Sequence, residues 1–171
     1  MVIALSVTVL MTAVTAISGC GGGGEATVTG EKTVTVIQTQ AGSSTADKEA
    51  YKQAVNGLTA RANQVNTDFR ALVDRFNTGQ AKAEELAGAA EQDRLSYQDM
   101  VAQLTTMKVP SEFQQAHLLL ISGFGKWQSA FEAYRDGYNN RDNSALARAR
   151  DLDGQAVTDV NQSVNLISQV Q

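Results

Sequence analysis

From Tyr51 to Phe76 the apolar residues Tyr51, Val55, Leu58, Ala62, Val65, Phe69, Leu72 and Phe76 follow one another at alternating steps of four and three. At 3.6 residues per turn these positions share one side of a helix, which must then be buried against other helices. The same rhythm returns three times. Ala83, Leu86, Ala90, Asp93, Tyr97, Met100, Leu104 and Met107 form a second stripe, within a helix predicted over about Ala81 to Met107. Phe113, His117, Leu120, Phe124, Trp127, Phe131, Tyr134 and Tyr138 form a third, and Leu146, Ala149, Asp153, Val157, Val160, Val164 and Ile167 a fourth.

The punctuation between the stripes agrees with helices joined by short turns. Asn77-Thr78-Gly79-Gln80 holds residues that turns prefer, and the second stripe stops just before Pro110, the only proline. Ser111-Glu112-Phe113-Gln114 has the pattern of a capping box, and Asp142 or Asn143 suits the cap of the last helix. Short turns between helices of similar length make neighbours antiparallel. The predicted fold is therefore all-α, an up-down-up-down four-helix bundle over residues 47–171, with helices about 40 Å long. Gly57, Gly88, Gly123, Gly125 and Gly154 fall inside these helices. They imply either close helix approach or a kink, above all at Ser122-Gly123-Phe124-Gly125-Lys126, where a break would leave a three-helix bundle with an extra terminal helix.

The first 46 residues are of another kind. Met1 to Gly19 carries no Asp, Glu, Lys or Arg and is dominated by Val, Ile, Leu, Ala, Met and Thr, so it enters hydrocarbon without burying a charge. Small residues, Ala16, Ser18 and Gly19, close it, as they close secretory signals. The lone cysteine, Cys20, follows, and four glycines come after it. Residues 21–46 lack aromatic residues and proline and are rich in Gly, Thr and Ser, the composition of a flexible spacer. The Thr33 to Val36 alternation leaves a short hairpin there as the alternative.

Ile17-Ser18-Gly19-Cys20 resembles the lipobox of bacterial lipoproteins: an aliphatic residue, two small ones, then cysteine. That resemblance covers only the beginning of the chain. It implies a signal peptide at 1–19, cleavage between Gly19 and Cys20, and a thioether from the Cys20 thiol to diacylglycerol. The mature chain would be anchored by acyl chains on residue 20, with residues 20–46 as its tether and the helical domain outside the cytoplasm, at the cell surface or in the periplasm. Two buried acyl chains hold firmly where one is marginal, at about 0.8 kcal/mol per methylene. Signals of this family normally open with Lys or Arg, whereas the first basic residue here is Lys32. The competing readings are an uncleaved membrane helix and an ordinary signal peptide that leaves a free thiol.

Charge and motif content exclude several functions. A net charge of −4 with signs interspersed argues against nucleic-acid binding and against a polybasic membrane patch. A single cysteine permits no internal disulfide. A di-iron bundle needs two Glu-x-x-His pairs, and the only histidine, His117, follows Glu112 by five residues. Gly123-Phe124-Gly125-Lys126 lacks the upstream glycine and the following Ser or Thr of a phosphate-binding loop.

Three constellations remain. Met100, Met107 and His117 suit a soft metal ion by ligand type, although gap-filling methionines and a hydrogen-bonded core histidine account for them without one. Asp93 and Asp153, at similar height on inward stripes, would do acid–base work only by sharing a cleft; Arg94 and Arg150 nearby suggest ion pairs instead. Phe69, Phe76, Trp127, Phe131, Tyr134 and Tyr138 gather at the membrane-distal end, as core or, if that end is splayed, as the lining of a site. Trp127, Tyr134 and Tyr138 are the expected contact residues. The sequence thus predicts a lipid-anchored, non-enzymatic protein without a cofactor that binds or spaces an unidentified partner; the alternative is a carrier of a metal ion or small apolar ligand within the bundle.

Overall fold

The computed structural model describes residues 43–170, so the lipobox, Gly19, Cys20 and the spacer through residue 42 lie outside the described residues. Among them stand four long helices: α1 (Thr45–Asn77), α2 (Ala83–Thr106), α3 (Gln114–Asn140) and α4 (Asn143–Gln169), with one 3-10 turn at Ser111–Phe113. The fold is all-α, as the stripes require. None of these helices is long and apolar enough to cross a membrane.

Each boundary has a local cause. Ser44 caps α1, its Oγ accepting from the Asp47 amide at 3.1 Å, so the helix opens two residues before Asp47. After α1, Gly79 takes φ +75, a left-handed conformation that glycine adopts without a Cβ penalty. Glu85 reaches back to accept from the Lys82 amide at 3.0 Å and so opens α2. Asp142 is the cap of α4, its Oδ1 accepting from the Ser144 and Ala145 amides.

The capping box expected at Ser111 does not form. The Phe113 amide bonds to the Pro110 carbonyl, which winds residues 111–113 into a 3-10 turn and places Ser111 inside the turn instead of ahead of it. The Ser111 hydroxyl donates to Glu112 instead. Nor does α3 break at Gly123 or Gly125: one continuous helix runs from Gln114 to Asn140.

The large residues of the first three stripes form the core: Tyr51, Val55, Leu58 and Phe69 from α1, Leu86, Tyr97, Met100 and Leu104 from α2, and Leu120, Phe124, Trp127 and Phe131 from α3. In addition, α3 buries a row of small residues, Ala116, Gly123, Ala130, Ala133 and Gly137, and packs most closely against α4 and α2. A Cβ on Gly123 would lie 2.7 Å from Val160 Cγ2 and 3.1 Å from the Ala156 carbonyl oxygen, so this glycine serves close helix approach. A second tie is Ser163, wholly buried, whose Oγ donates to the Ala116 carbonyl at 2.6 Å.

The fourth stripe is corrected in part by this arrangement: its Ala149 and Val160 are buried as expected, but the buried face is centred on smaller residues. The buried residues of α4 are Ala145, Ala149, Ala156, Val160 and Ser163, whereas Val157 and Val164 are 36% and 45% exposed. Small side chains let α4 settle against the glycine-bearing face of α3, and the helix turns to present them. Val157 and Val164 are left along the side that looks toward α1.

Candidate functional site

The seam between α1 and α4 is where that rotation has its effect. Three adjoining clefts lie along it, of about 280, 300 and 310 Å³, and Trp127 of α3 lines all three. The first is also lined by Phe69, Arg70 and Val73 of α1, Phe131, Tyr134 and Tyr138 of α3, and Arg150 and Asp153 of α4. The second and third continue past Asn63, Val160 and Asn161 to the exposed Val164.

An aromatic wall gives the first cleft its shape. The Phe69 ring meets Phe131 edge-on at 5.0 Å and Tyr134 at 5.2 Å, Tyr134 stacks with Tyr138 at 6.4 Å, and Phe76 meets Tyr138 edge-on at 5.7 Å. Such contacts are favourable beyond the area they bury, so the wall is a rigid surface. The residues come together because each sits one turn from the next on α3, opposite Phe69 and Phe76 on α1.

Polar groups in the cleft fall into two sets. Trp127 donates its Nε1 hydrogen to Asp153 Oδ1 at 2.7 Å, and Arg70 approaches Asp153 Oδ2 at 3.9 Å. Asn66 accepts a hydrogen bond from Tyr97 through Oδ1. These groups answer one another. The phenols of Tyr134 and Tyr138 and the guanidinium of Arg150 make no hydrogen bond or ion pair with any described residue. Burial pushes Tyr134 up to about 12 and raises Tyr138, against the opposing charge of Arg150, so both hydroxyls keep their protons and remain donors. Trp127, Tyr134 and Tyr138, singled out by their spacing, therefore line one cleft; Arg70, Arg150 and Asp153 complete it. Asn63, Asn66 and Asn161 of the seam carry no sequence signal, being polar residues beside stripes whose exact facing was not known.

The other two constellations are placed differently. His117 is buried and its pKa is lowered by that burial, against a hydrogen bond to the Leu104 carbonyl. Its Nδ1 stands 3.2 Å from the Tyr51 hydroxyl. The Tyr51 hydroxyl meets Nδ1 in either tautomer, so that nitrogen is engaged within the core. Met100 is fully buried in the core, and Met107 lines a recess of about 610 Å³ with Tyr51, Lys108 and Pro110, beside Ser43 where the described residues begin. The described residues hold no cluster of three or more His, Cys, Asp or Glu side chains suited to a metal.

Asp93 and Asp153 line different clefts. Asp93 lies with Asp68, Leu72 and Arg75 on the α1–α2 side, and its pKa rises to about 6 through burial and the nearby Asp68 charge. The expected arginine partners are also exchanged: Arg94 bonds to Glu91, with Arg135 on the same carboxylate, and Asp153 takes Arg70 in place of Arg150. The two arginines hold the Glu91 carboxyl down at about 2.

No family model, no curated protein and no solved structure matches this chain at a significant level.

Proposed function

We propose that this chain is a non-enzymatic lipoprotein, tethered outside the cytoplasm through Cys20, whose helical domain binds a small apolar ligand in the cleft beside Trp127. We read the domain as an up-down-up-down four-helix bundle. Supporting that topology, Tyr51 meets Phe113 near the starts of α1 and α3 and Phe76 meets Tyr138 near their ends, as in parallel helices. Conversely, Ser163 bonds back to Ala116, Asp159 to Lys126 and Asp153 to Trp127, as in antiparallel ones. Arg61 with Asp99 and Tyr97 with Asn66 order α1 and α2 in the same opposed sense. In that bundle Ser44 and the Pro110 loop stand at one end and the aromatic wall toward the other.

The observation that carries the ligand reading is a concave, aromatic-walled cleft lined by two half-buried tyrosines whose hydroxyls meet no described residue. Neither hydroxyl is cut off from water, so each is open to a polar group of a ligand. Tyr134 and Tyr138 stand in a concave site of mainly apolar lining, the general form of small-molecule sites. A second reading, a protein partner laid along the seam, is favoured by the exposure of Val157 and Val164 on one side of α4.

Mass spectrometry of the protein purified from its host tests both halves of the proposal. Under denaturing conditions the expected mass lacks residues 1–19 and carries acyl chains; an intact Met1 overturns the anchor. Under native conditions an increment that disappears on denaturation, and that is lost from a Tyr134→Ala, Tyr138→Ala variant, is the expected result. A bare native mass, together with Trp127 fluorescence indifferent to apolar compounds, overturns ligand binding.

A further inference from the structure

Resting on the reading of the Trp127 cleft as a ligand site, we infer that its ligand is a small organic acid: a compact apolar body carrying one anionic group, seated with the anion toward Arg150 and the hydroxyls of Tyr134 and Tyr138. The inference comes from counting which polar groups of the cleft are already answered. Asp153 accepts the Trp127 N–H at one oxygen and has Arg70 at 3.9 Å from the other, so its hydrogen-bonding edge is engaged within the cleft. What remains toward α3 and α4 consists of donors: two phenols and a guanidinium with five N–H groups, none of them bonded to a described residue. All three groups line the same cleft; the charge of Arg150 acts on both phenols, and that of Asp153 acts on Tyr134 in the opposite sense, so the anion seats on the Arg150 and Tyr138 side.

The one acidic side chain of the cleft not engaged in this way is Asp74, exposed on α1. Its charge disfavours an anion on the α1 side and so directs the acid toward α4. Trp127 and the Phe69–Phe131 pair, largely buried and lining the cleft, then supply its apolar floor. A neutral apolar compound of the same shape would fill that floor and leave the three donors in contact with water alone. A cation would meet Arg150 with like charge. Charge-assisted hydrogen bonds are roughly twice as strong as neutral ones, so an acid gains most from this set.

Trp127 is the only tryptophan of the chain, so its emission reports the cleft alone. The full chain in phosphatidylcholine vesicles is titrated with 4-tert-butylcyclohexanecarboxylate and with the matching uncharged 4-tert-butylcyclohexylmethanol, neither of which absorbs where tryptophan does. Protein-free vesicles give the free concentration of each probe. The expected result is a shift of Trp127 emission by both, with the acid binding about tenfold more tightly than the alcohol. Arg150→Gln, an exposed change, brings the two affinities to within about threefold by weakening only the acid. Tyr134→Phe with Tyr138→Phe weakens the acid by a few-fold while helix content by circular dichroism stays the same. Equal binding of the two probes, tighter binding of the alcohol, or an unchanged preference in Arg150→Gln overturns the acid and leaves the cleft as a ligand site. Failure of both probes to move the emission or to bind by calorimetry overturns the ligand site itself.

Discussion

Alanine placed separately at Gly123 and Gly125 should move stability in opposite directions. Both residues lie inside α3, where glycine is about 1 kcal/mol less favourable than alanine. At Gly125 a new Cβ meets nothing within 4 Å, so most of that difference is recovered, and Gly125→Ala should stabilise by about 0.5–1 kcal/mol. At Gly123 the same gain is opposed by contacts of 2.7 Å to Val160 Cγ2, 3.1 Å to the Ala156 carbonyl and 3.4 Å to Asp159 Cβ. Val160 is β-branched and nearly buried, so its methyl cannot swing aside within its helical rotamer, and the carbonyl cannot move without α4. Overpacking of this kind costs about 1–3 kcal/mol, which leaves Gly123→Ala destabilised by about 1 kcal/mol and the two variants about 2 kcal/mol apart. Urea unfolding followed by circular dichroism resolves that difference as a change in midpoint at constant slope. Gly123→Ala as stable as Gly125→Ala would refute the close approach of α3 and α4, and a destabilised Gly125→Ala would restore the idea of a functional kink.

Three further substitutions test individual contacts. Burial and Asp68 raise Asp93 from 3.8 to about 6, so the folded state holds a proton more strongly than the unfolded chain, and stability falls as pH rises from about 4 through 6. The unscreened shift corresponds to about 3 kcal/mol; with Asp93 half-exposed about 1–2 kcal/mol is expected, so Asp93→Asn should stabilise by that amount at pH 7.5 and hardly at all at pH 4, and a pH-independent difference by urea unfolding would contradict this. Tyr51→Phe keeps the ring stacked on Phe113 at 4.8 Å but leaves the buried His117 Nδ1 without its donor, for an expected loss of about 1–3 kcal/mol in the same assay; no loss would mean that water replaces the hydroxyl. Ser163→Ala removes the hydroxyl that ties α4 to the Ala116 carbonyl and should lower stability by about 1 kcal/mol, with an unchanged midpoint counting against the tie.

How far the sequence was readable depends on side-chain size. Large residues at steps of four and three can be buried in only one way, so the stripes of α1, α2 and α3 are recovered in the core nearly residue by residue. In α4 the signal misleads in part. Ala149 and Val160 are buried as their spacing suggests, but Ala145, Ala156 and Ser163 complete the buried face in place of Val157 and Val164, because a helix opposite Gly123 and Gly137 gains most by approaching closely, and small residues permit that. Hydrophobicity alone ranks Val157 above Ser163 and cannot see the partner helix that reverses the order.

The same rotation explains why Trp127, Tyr134 and Tyr138 were found by spacing while Asp153 was misassigned. Residues of one helix keep their relation whatever the neighbour does, so the aromatic row on α3 needed no tertiary information. Asp153 stands on the element whose facing was misjudged, and turning α4 toward its small residues carries Asp153 to Trp127 and Arg70 and away from Asp93. It also leaves α1 facing Val157 and Val164 across a seam with polar residues, Asn63 and Asn161, where a closed bundle would bury apolar ones. A larger residue at Ala156 or Ser163 would push α4 outward, whereas the small ones draw it onto α3 and open the α1 side. The cleft is thus a consequence of how tightly α3 and α4 pack, and Gly123 is the residue through which that dependence is measured.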